Sequence, residues 1–493
     1  MTELEQAKHR IVQLEEQLAK VMLQLEWFKK RFLGTGKSER QDAMQLQLQL
    51  EELKQTTEAT LQEEEISYER RKARRKDPRV LPAERFGNVP ERETIEIIPE
   101  EVKADPESFK RIGEEETFEI DIDPPKLFKR RIVRPKFVRL FEPQAAPLVA
   151  AAPRRVIDGS YASAGLIAWV VVSKYVDHLP LYRQEKMLSR YQVSIPRQRM
   201  CDWIGKAAEL LEVIYWRIRE GLVSGGYLQA DETPVQFVDP DQKKGKTSKG
   251  NFWFLSRPED CVFVHWDQSR GKLVANELLK GFSGVLQTDG YGGYNDFKSG
   301  NSKVERVACL AHCRRKFAEA LGAEPVRARF VLRLIGHLYH LENSWDEAGF
   351  TDAAQRAHLR KRDFPGILSL LKRSLVRILE GKTRPTSKLG QACQYMLGQW
   401  DDWVKVLDHG QVQLDNNLVE NAIRPSAVGK KNWLFVGAPD AGQRSAVMYT
   451  LILSCQRFGI DPLQYLRDVL TKLPGMTNQS DLTPLLPNHW KPA

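Results

Sequence analysis

YLQADETPVQFV, residues 227–238, and VLQTDGYGGY, residues 285–294, decide how this chain folds. Each passes from an apolar run through Leu-Gln and one small residue to an aspartate. Aromatic and β-branched residues in such runs read as strands, and GYGG reads as a turn. NFWFLSR (251–257) and CVFVHWD (261–267) supply two more strands between them. RVACLAHCRRKFAEAL (306–321) reads as a strand end entering a helix. Asp231 and Asp289 therefore end apolar, strand-like runs 58 positions apart (289 minus 231). A carboxylate leaving a buried strand costs desolvation free energy unless a cation or hydrogen bonds compensate it. A capping aspartate is common; two in the same local pattern point to a site.

The third acid lies in LDNNLVENAIRP, 414–425, where Asp408, Asp415 and Glu420 compete. Asp415 and the asparagines after it fit a helix cap. Glu420 falls inside that helix, with Arg424 one turn on and on the same face. Either the two form a surface ion pair, or the glutamate faces a metal and the arginine a phosphate. Three carboxylates from three segments are what a two-metal phosphodiester-cutting site requires. They are hard oxygen donors suited to magnesium, and two ions about 3.5–4 Å apart activate the attacking oxygen and stabilise the leaving one. CLAHC holds Cys309, His312 and Cys313, but no nearby CxxC or HxxxH pair offers zinc a fourth ligand. The cysteines read as packing residues. His312 begins a helix near the acids, where it can orient water or a phosphate.

Working outward, 493 residues are too many for one core, so several domains are expected. The net charge of +10 favours a polyanionic partner, nucleic acid foremost. Six cysteines beginning at Cys201 form no regular framework, which predicts a reducing, cytoplasmic setting. No apolar run approaches the roughly 20 residues of a membrane span, so no membrane partner is expected.

At the N-terminus Leu4, Ile11, Leu18, Leu25 and Phe32 recur every seven residues, and Ala7, Leu14, Val21 and Phe28 fill the second seam position. This heptad pattern predicts a self-pairing zipper, hence a homo-oligomer. GTGKSE (34–39) mimics the end of a phosphate-binding loop. It follows a helix, and Arg31 stands where that loop needs glycine, so it reads as a helix stop. RRKARRKDPR (70–79) is a solvated linker or a phosphate contact. Short β segments fill 81–142, and PQAAPLVAAAP (143–153) reads as a linker. PLYRQEKMLSRYQVSIPRQRMCDWI (180–204) fits helix-turn-helix. Its turn lies at Gln192–Val193, Ser194 caps the second helix, Pro196 sits in its first turn, and Arg197, Gln198 and Arg199 lead it towards a major groove. Residues 321–405 are helical and read as an insertion. KKNWLFVG (430–437) reads as a short strand or edge.

These blocks together resemble the DDE transposases of bacterial insertion-sequence family sixty-six, over almost the whole chain. The zipper closing on FLGTGKSER, the helix-turn-helix, YLQADETPVQ, LQTDGYGGYN, CLAHCRRKF, NNLVENAIRPSAVGKKNWLFVG and GIDPLQYLRDVLTKLP match that family's segments in order. The resemblance implies a multidomain α+β protein. A leucine-zipper coiled coil (1–56) and a basic linker (57–80) precede a small β subdomain (81–142). A helical helix-turn-helix domain (143–225) leads into a ribonuclease-H-like catalytic domain, whose two parts (226–320 and 406–472) flank a helical insertion (321–405). A tail (473–493) closes the chain. The resemblance assigns the triad to Asp231, Asp289 and Glu420 and a Cys-x-x-His signature to Cys309 and His312. It implies two magnesium ions, with manganese as a substitute. The expected partners are transposon terminal repeats and target DNA, with accessory proteins besides. Members usually carry zinc-binding cysteines after the zipper, and this stretch has none, so zinc is not expected. DNA contact there falls to Lys129, Arg130, Arg131, Arg134 and Lys136, and near the third acid to Arg424, Lys430 and Lys431. The expected activity is metal-dependent DNA cleavage and strand transfer. The alternatives are an inactive DNA-binding relative and a nuclease without strand transfer.

Overall fold

The computed structural model describes residues 153–239, 246–298 and 303–492, with residues 127–128, Ile132 and two short strands upstream. Those strands, β1 (Lys136–Phe137) and β2 (Leu148–Val149), pair antiparallel. Thus Lys136 heads a strand, and the stretch expected to be only a linker contributes its partner. The zipper, the basic linker, Lys129, Arg130, Arg131 and Arg134 lie outside the described residues.

From residue 153 the chain builds a mixed α+β body. Helix α1 (Ala164–Tyr175) starts where the Ser163 hydroxyl accepts from the Leu166 amide at 3.2 Å. Helices α2 (Leu181–Arg190) and α3 (Arg197–Val223) follow, joined through Gln192 at φ 59°. The helix-turn-helix spacing is as read, with one correction: Pro196, not Ser194, occupies the cap position, and it brings no side-chain cap. The Arg197 amide instead donates to Glu185 Oε1 of the preceding helix, 3.1 Å away.

Strands β3 (Tyr227–Val238), β4 (Thr247–Ser256) and β5 (Val262–Asp267) form an antiparallel meander. Helix α4 (Lys272–Leu278) leads to β6 (Gly284–Thr288), then β7 (Val304–Ala308). The sheet order is β5-β4-β3-β6-β7, with β6 parallel to both β3 and β7. Side chains alternate across a strand, so the two faces carry separate cores. Leu228, Ala230 and Leu286 join the larger one, which includes α1, α3, α11 (Pro439–Arg457) and α12 (Pro462–Lys472). Tyr227 and Val285 join the other. That core holds α5 (Leu310–Ala320), α6 (Pro325–Glu347), α7 (Ala353–Glu380), α8 (Lys388–Gly398) and α9 (Trp400–Val404).

Helix α11 explains why its sequence is apolar on nearly every side: residues 445–455 are all buried. Its two central hydroxyls close the outer edge of β5. Thr450 Oγ1 accepts from the Val264 amide at 2.9 Å, and Ser454 Oγ accepts from the Val262 amide at 3.0 Å. An edge strand so covered offers no row of free donors. Gly442 lies where Trp266 crosses the helix; an added Cβ would meet the indole at 2.3 Å.

The helical stretch read as an insertion packs on the second face and returns the chain through buried Arg360. Its guanidinium donates to Glu342 Oε1 at 2.6 Å and to the carbonyls of Val406, His409 and Val412 at 2.9–3.0 Å. A buried guanidinium is tolerable only with its donors so taken. The chain then enters α10 (Asn417–Trp433). KKNW, expected as a strand or edge, is the last turn of this helix, and only Phe435 makes a bridge, to Gln236 of β3. The described residues contain no helix long and apolar enough to cross a membrane.

Candidate active site

Asp231 does not end its strand. It lies in the middle of β3, which runs seven residues further. The neighbour β6 is what ends: Gln229 stands opposite Gln287, and β6 stops at Thr288. Carrying that offset of 58 (287 minus 229) two residues on brings Asp289 opposite Asp231 (231 plus 58). The paired residues end at Gln229 and Gln287, so this placement continues the register of β3 and β6 beyond their last pair. Both point to the face that carries α5 and the insertion, four residues beyond Tyr227 and Val285.

The turn after β6 is tight. Asp289 Oδ1 accepts from the Tyr291 amide at 2.8 Å, and the Gly290 amide donates to the Tyr395 hydroxyl at 3.2 Å. An added Cβ on Gly290 would lie 2.8 Å from that hydroxyl, so the close approach of α8 requires glycine.

Glu420 sits in the first turn of α10, where the helix dipole favours an acid. Its Oε2 accepts from Arg315 Nη2 at 3.0 Å, and its Oε1 lies 3.7 Å from His312 Nδ1. That Oε1 and that Nδ1 are buried and have no hydrogen-bond partner. Among the described residues, Cys309, His312 and Glu420 form a group whose ligand atoms all lie within 4.8 Å of one another. Burial pushes the Cys309 thiol far above its usual range. Burial also lowers His312, against the opposing pull of Glu420 and Asp289.

Burial and neighbouring charge act together on Asp231. Burial first, then the charges of Glu232 and Asp289, and to a smaller extent Glu420, push its carboxyl up to about 8. Asp289 and Glu420 thus lie near enough to act on Asp231 through their charge.

Of the competing third acids, Asp415 is taken: it accepts from the Tyr339 hydroxyl at 3.1 Å and from the Asn417 amide at 3.0 Å. It precedes the helix as a capping-type residue. Asp408 pairs with Lys361 at 2.8 Å. Sequence reading passed over Glu232, the next residue after Asp231. It points to the opposite face and is buried, held by Arg270 at 2.6 Å and by the Tyr294 hydroxyl at 3.0 Å. Burial raises its carboxyl while Arg270 opposes. The signal was present in the adjacent Asp-Glu pair, because alternation sends two such acids to opposite faces. Arg315, on Glu420, was also passed over.

The expected DNA-contacting residues of α3 lie apart from the acids in sequence, whereas Arg424 follows Glu420 by four positions. Arg197, Gln198 and Arg199 are exposed at the start of α3. Arg424 and Lys431 are exposed on α10, and Lys430 Nζ donates to the Pro234 carbonyl at 3.2 Å.

Comparison with known proteins adds the lineage. Residues 159–444 match the transposase IS66 family, and residues 450–488 match the IS66 C-terminal element. The chain is 32% identical over 449 residues to the uncharacterized protein y4qI of Sinorhizobium fredii (strain NBRC 101917 / NGR234), spanning 87% of this chain and 81% of that one. It is 32% identical over 400 residues to the uncharacterized protein y4jD of the same organism, spanning 78% and 77%. A third relative there, y4hP, is 26% identical over 482 residues, spanning 91% and 84%. With the first match covering more than half of its length, the chain belongs to the IS66 transposase family.

Proposed function

We propose that this protein is a DNA transposase that cuts and rejoins DNA at Asp231, Asp289 and Glu420. The observation that carries the reading is the field of Asp289 and Glu420 felt at Asp231, which lies beside the end of β6. A mixed five-stranded sheet with one acid on β3, a second directly after the parallel strand β6 and a third in the first turn of α10 supports a ribonuclease-H-like catalytic domain.

The residues fit divalent magnesium better than zinc. Three carboxylates are hard donors, Glu420 Oε1 is unpartnered, and the Cys309 thiol is held protonated by burial. Asp231 would serve both ions, with Asp289 and Glu420 on one each; manganese would substitute. When bound, such ions supply charge stabilisation to both the attacking and the leaving oxygen of an in-line displacement. The chain's own part is to hold the acids on a rigid sheet end. His312, which burial keeps neutral, stands beside Glu420 with an unpaired Nδ1 that can accept from a water or a DNA hydroxyl. Arg315 neutralises Glu420 and is half exposed, so it can turn to a phosphate. The exposed arginines of α3 and the basic face of α10 would grip the duplex, which the net charge of +10 favours.

The test is a strand-transfer assay with the element's own terminal repeats. Cleavage and joining are expected with magnesium or manganese and to vanish with chelator or in Asp231→Asn, Asp289→Asn and Glu420→Gln. Cleavage without joining would favour a nuclease. End binding without either would favour an inactive relative.

A further inference from the structure

The paired Leu-Gln before each aspartate is not used by the chemistry above, yet both glutamines are wholly buried. They stand side by side on β3 and β6, in register with each other and on the same face as Asp231 and Asp289. What they hold is the chain returning from the helical insertion. Gln287 Nε2 donates to the Gln413 carbonyl at 2.7 Å, and Gln229 Nε2 reaches the Asp415 carbonyl at 3.0 Å. Gln229 Oε1 accepts from the Val419 amide at 3.3 Å. Tyr227, two residues earlier on the same face, accepts from the Gln413 amide at 3.3 Å and donates to Gln287 Oε1 at 2.6 Å.

The direction of each amide group is fixed by its partners. A carbonyl can only accept and an amide N–H can only donate, so Gln229 cannot be turned about without losing both Asp415 and Val419. Gln229 Nε2 also lies 3.1 Å from Gln287 Oε1, which links the two side chains across the strands. Four backbone groups of residues 413–419 therefore rest on side chains of the strands that carry the two aspartates. Val419 is the residue before Glu420. Besides these, the Leu310 amide donates to the Leu414 carbonyl at 2.9 Å and Asn416 Nδ2 donates to the Ala230 carbonyl at 3.2 Å.

We propose that Gln229 and Gln287 are positioning residues that register Glu420 against Asp231 and Asp289, so that one pair of strands places all three acids. The proposal rests on the reading of those acids as a metal site. Loss of either amide frees the entry to α10 and lets Glu420 drift, while the sheet behind it stays closed.

The experiment uses the full chain and the variants Gln229→Met, Gln287→Met, Gln413→Ala and Glu420→Ala, with hydrogen exchange and manganese titration as readouts. Gln413 is exposed and its side chain only accepts from Gln229, so its variant tests the link where folding is least at risk. In the methionine variants, the amides of 413–420 are expected to exchange about tenfold faster or more, with β4 and β5 still protected. Manganese affinity is expected to fall about 10- to 100-fold, the range found when outer-shell partners of metal ligands are removed. Gln413→Ala should move both in the same direction by less. Unchanged exchange at 413–420 in both methionine variants overturns the proposal. Faster exchange with manganese affinity unchanged also overturns it, since the glutamines would then be structural only. If Glu420→Ala binds manganese as the parent does, the metal reading itself fails, and that arm shows it separately.

Discussion

Asp231 concentrates the physics of the site in one residue. Folded, it keeps its proton until about pH 8; the ordinary carboxyl value is 3.8. Folding therefore takes up a proton between those values, and stability contributed by this group falls as pH rises through that window. In chelator, Asp231→Asn is expected to flatten that decline and to melt above the parent at pH 8, though not at pH 4. Thermal unfolding across pH 4–8.5 checks it; parallel curves for parent and variant would show that burial and neighbouring charge do not hold the Asp231 proton. Added magnesium should lift the parent at pH 8 and leave the variant nearly unmoved. At this scale the sequence was informative, because Asp231 and Asp289 share one local pattern. Glu420 was harder to choose from Asp408 and Asp415. Asp415 and Asp408 are engaged by Tyr339 and Lys361, which come from distant segments.

At the scale of elements, apolar runs rich in β-branched and aromatic residues announced the four strands β3 to β6 and the start of α5. Their order did not show, since parallel pairing of β6 with β3 joins strands far apart in sequence. KKNW misled because lysines followed by apolar residues suit an exposed strand as well as a helix end, and packing decided. Helix α11 is the clearest element whose role the sequence hid. Its apolar run does not by itself show that Thr450 and Ser454 close a strand edge. Replacing them as Thr450→Val and Ser454→Ala leaves the amides of Val264 and Val262 buried without acceptors. The expected cost is about 1–3 kcal/mol for each. Denaturant unfolding measures it, and a loss below the error of that measurement would mean water reaches the β5 edge. The start of α3 carries a different prediction. Arg197→Ala with Arg199→Ala should cost about 1–3 kcal/mol in binding to terminal repeats for each arginine that reads a base, with little change on unrelated duplex. Equal loss on both DNAs in a binding titration would make them phosphate contacts, and no loss on either would remove α3 from the interface.

For the whole molecule, rejoining DNA at two ends of an element requires that both be held at once, so one chain with one set of acids is not enough. The described body from residue 153 onwards provides the acids and exposed cations, and the pairing device is sought in the zipper at 1–56, outside the described residues. Its case rests on the heptad alone: Leu4, Leu18 and Leu25 with Ile11 and Phe32 in one seam position, and Leu14 and Val21 in the other. Lys8, Arg10, Lys29 and Arg31 flank this seam, with Glu15 to offset them, so charge sets the partner weakly and the apolar seam dominates. Leu14→Asp with Leu18→Asp would place four carboxylates in the core of a pair, at a cost of several kcal/mol. That variant should bind a single terminal repeat as the parent does, since α3 and α10 are untouched. It should sediment as a smaller species and lose both paired-end complexes and strand transfer. Sedimentation at the parent's size would place assembly on another surface. Lost single-end binding would instead tie the N-terminal segment to DNA contact, making the basic stretch at 70–79 the next segment to alter.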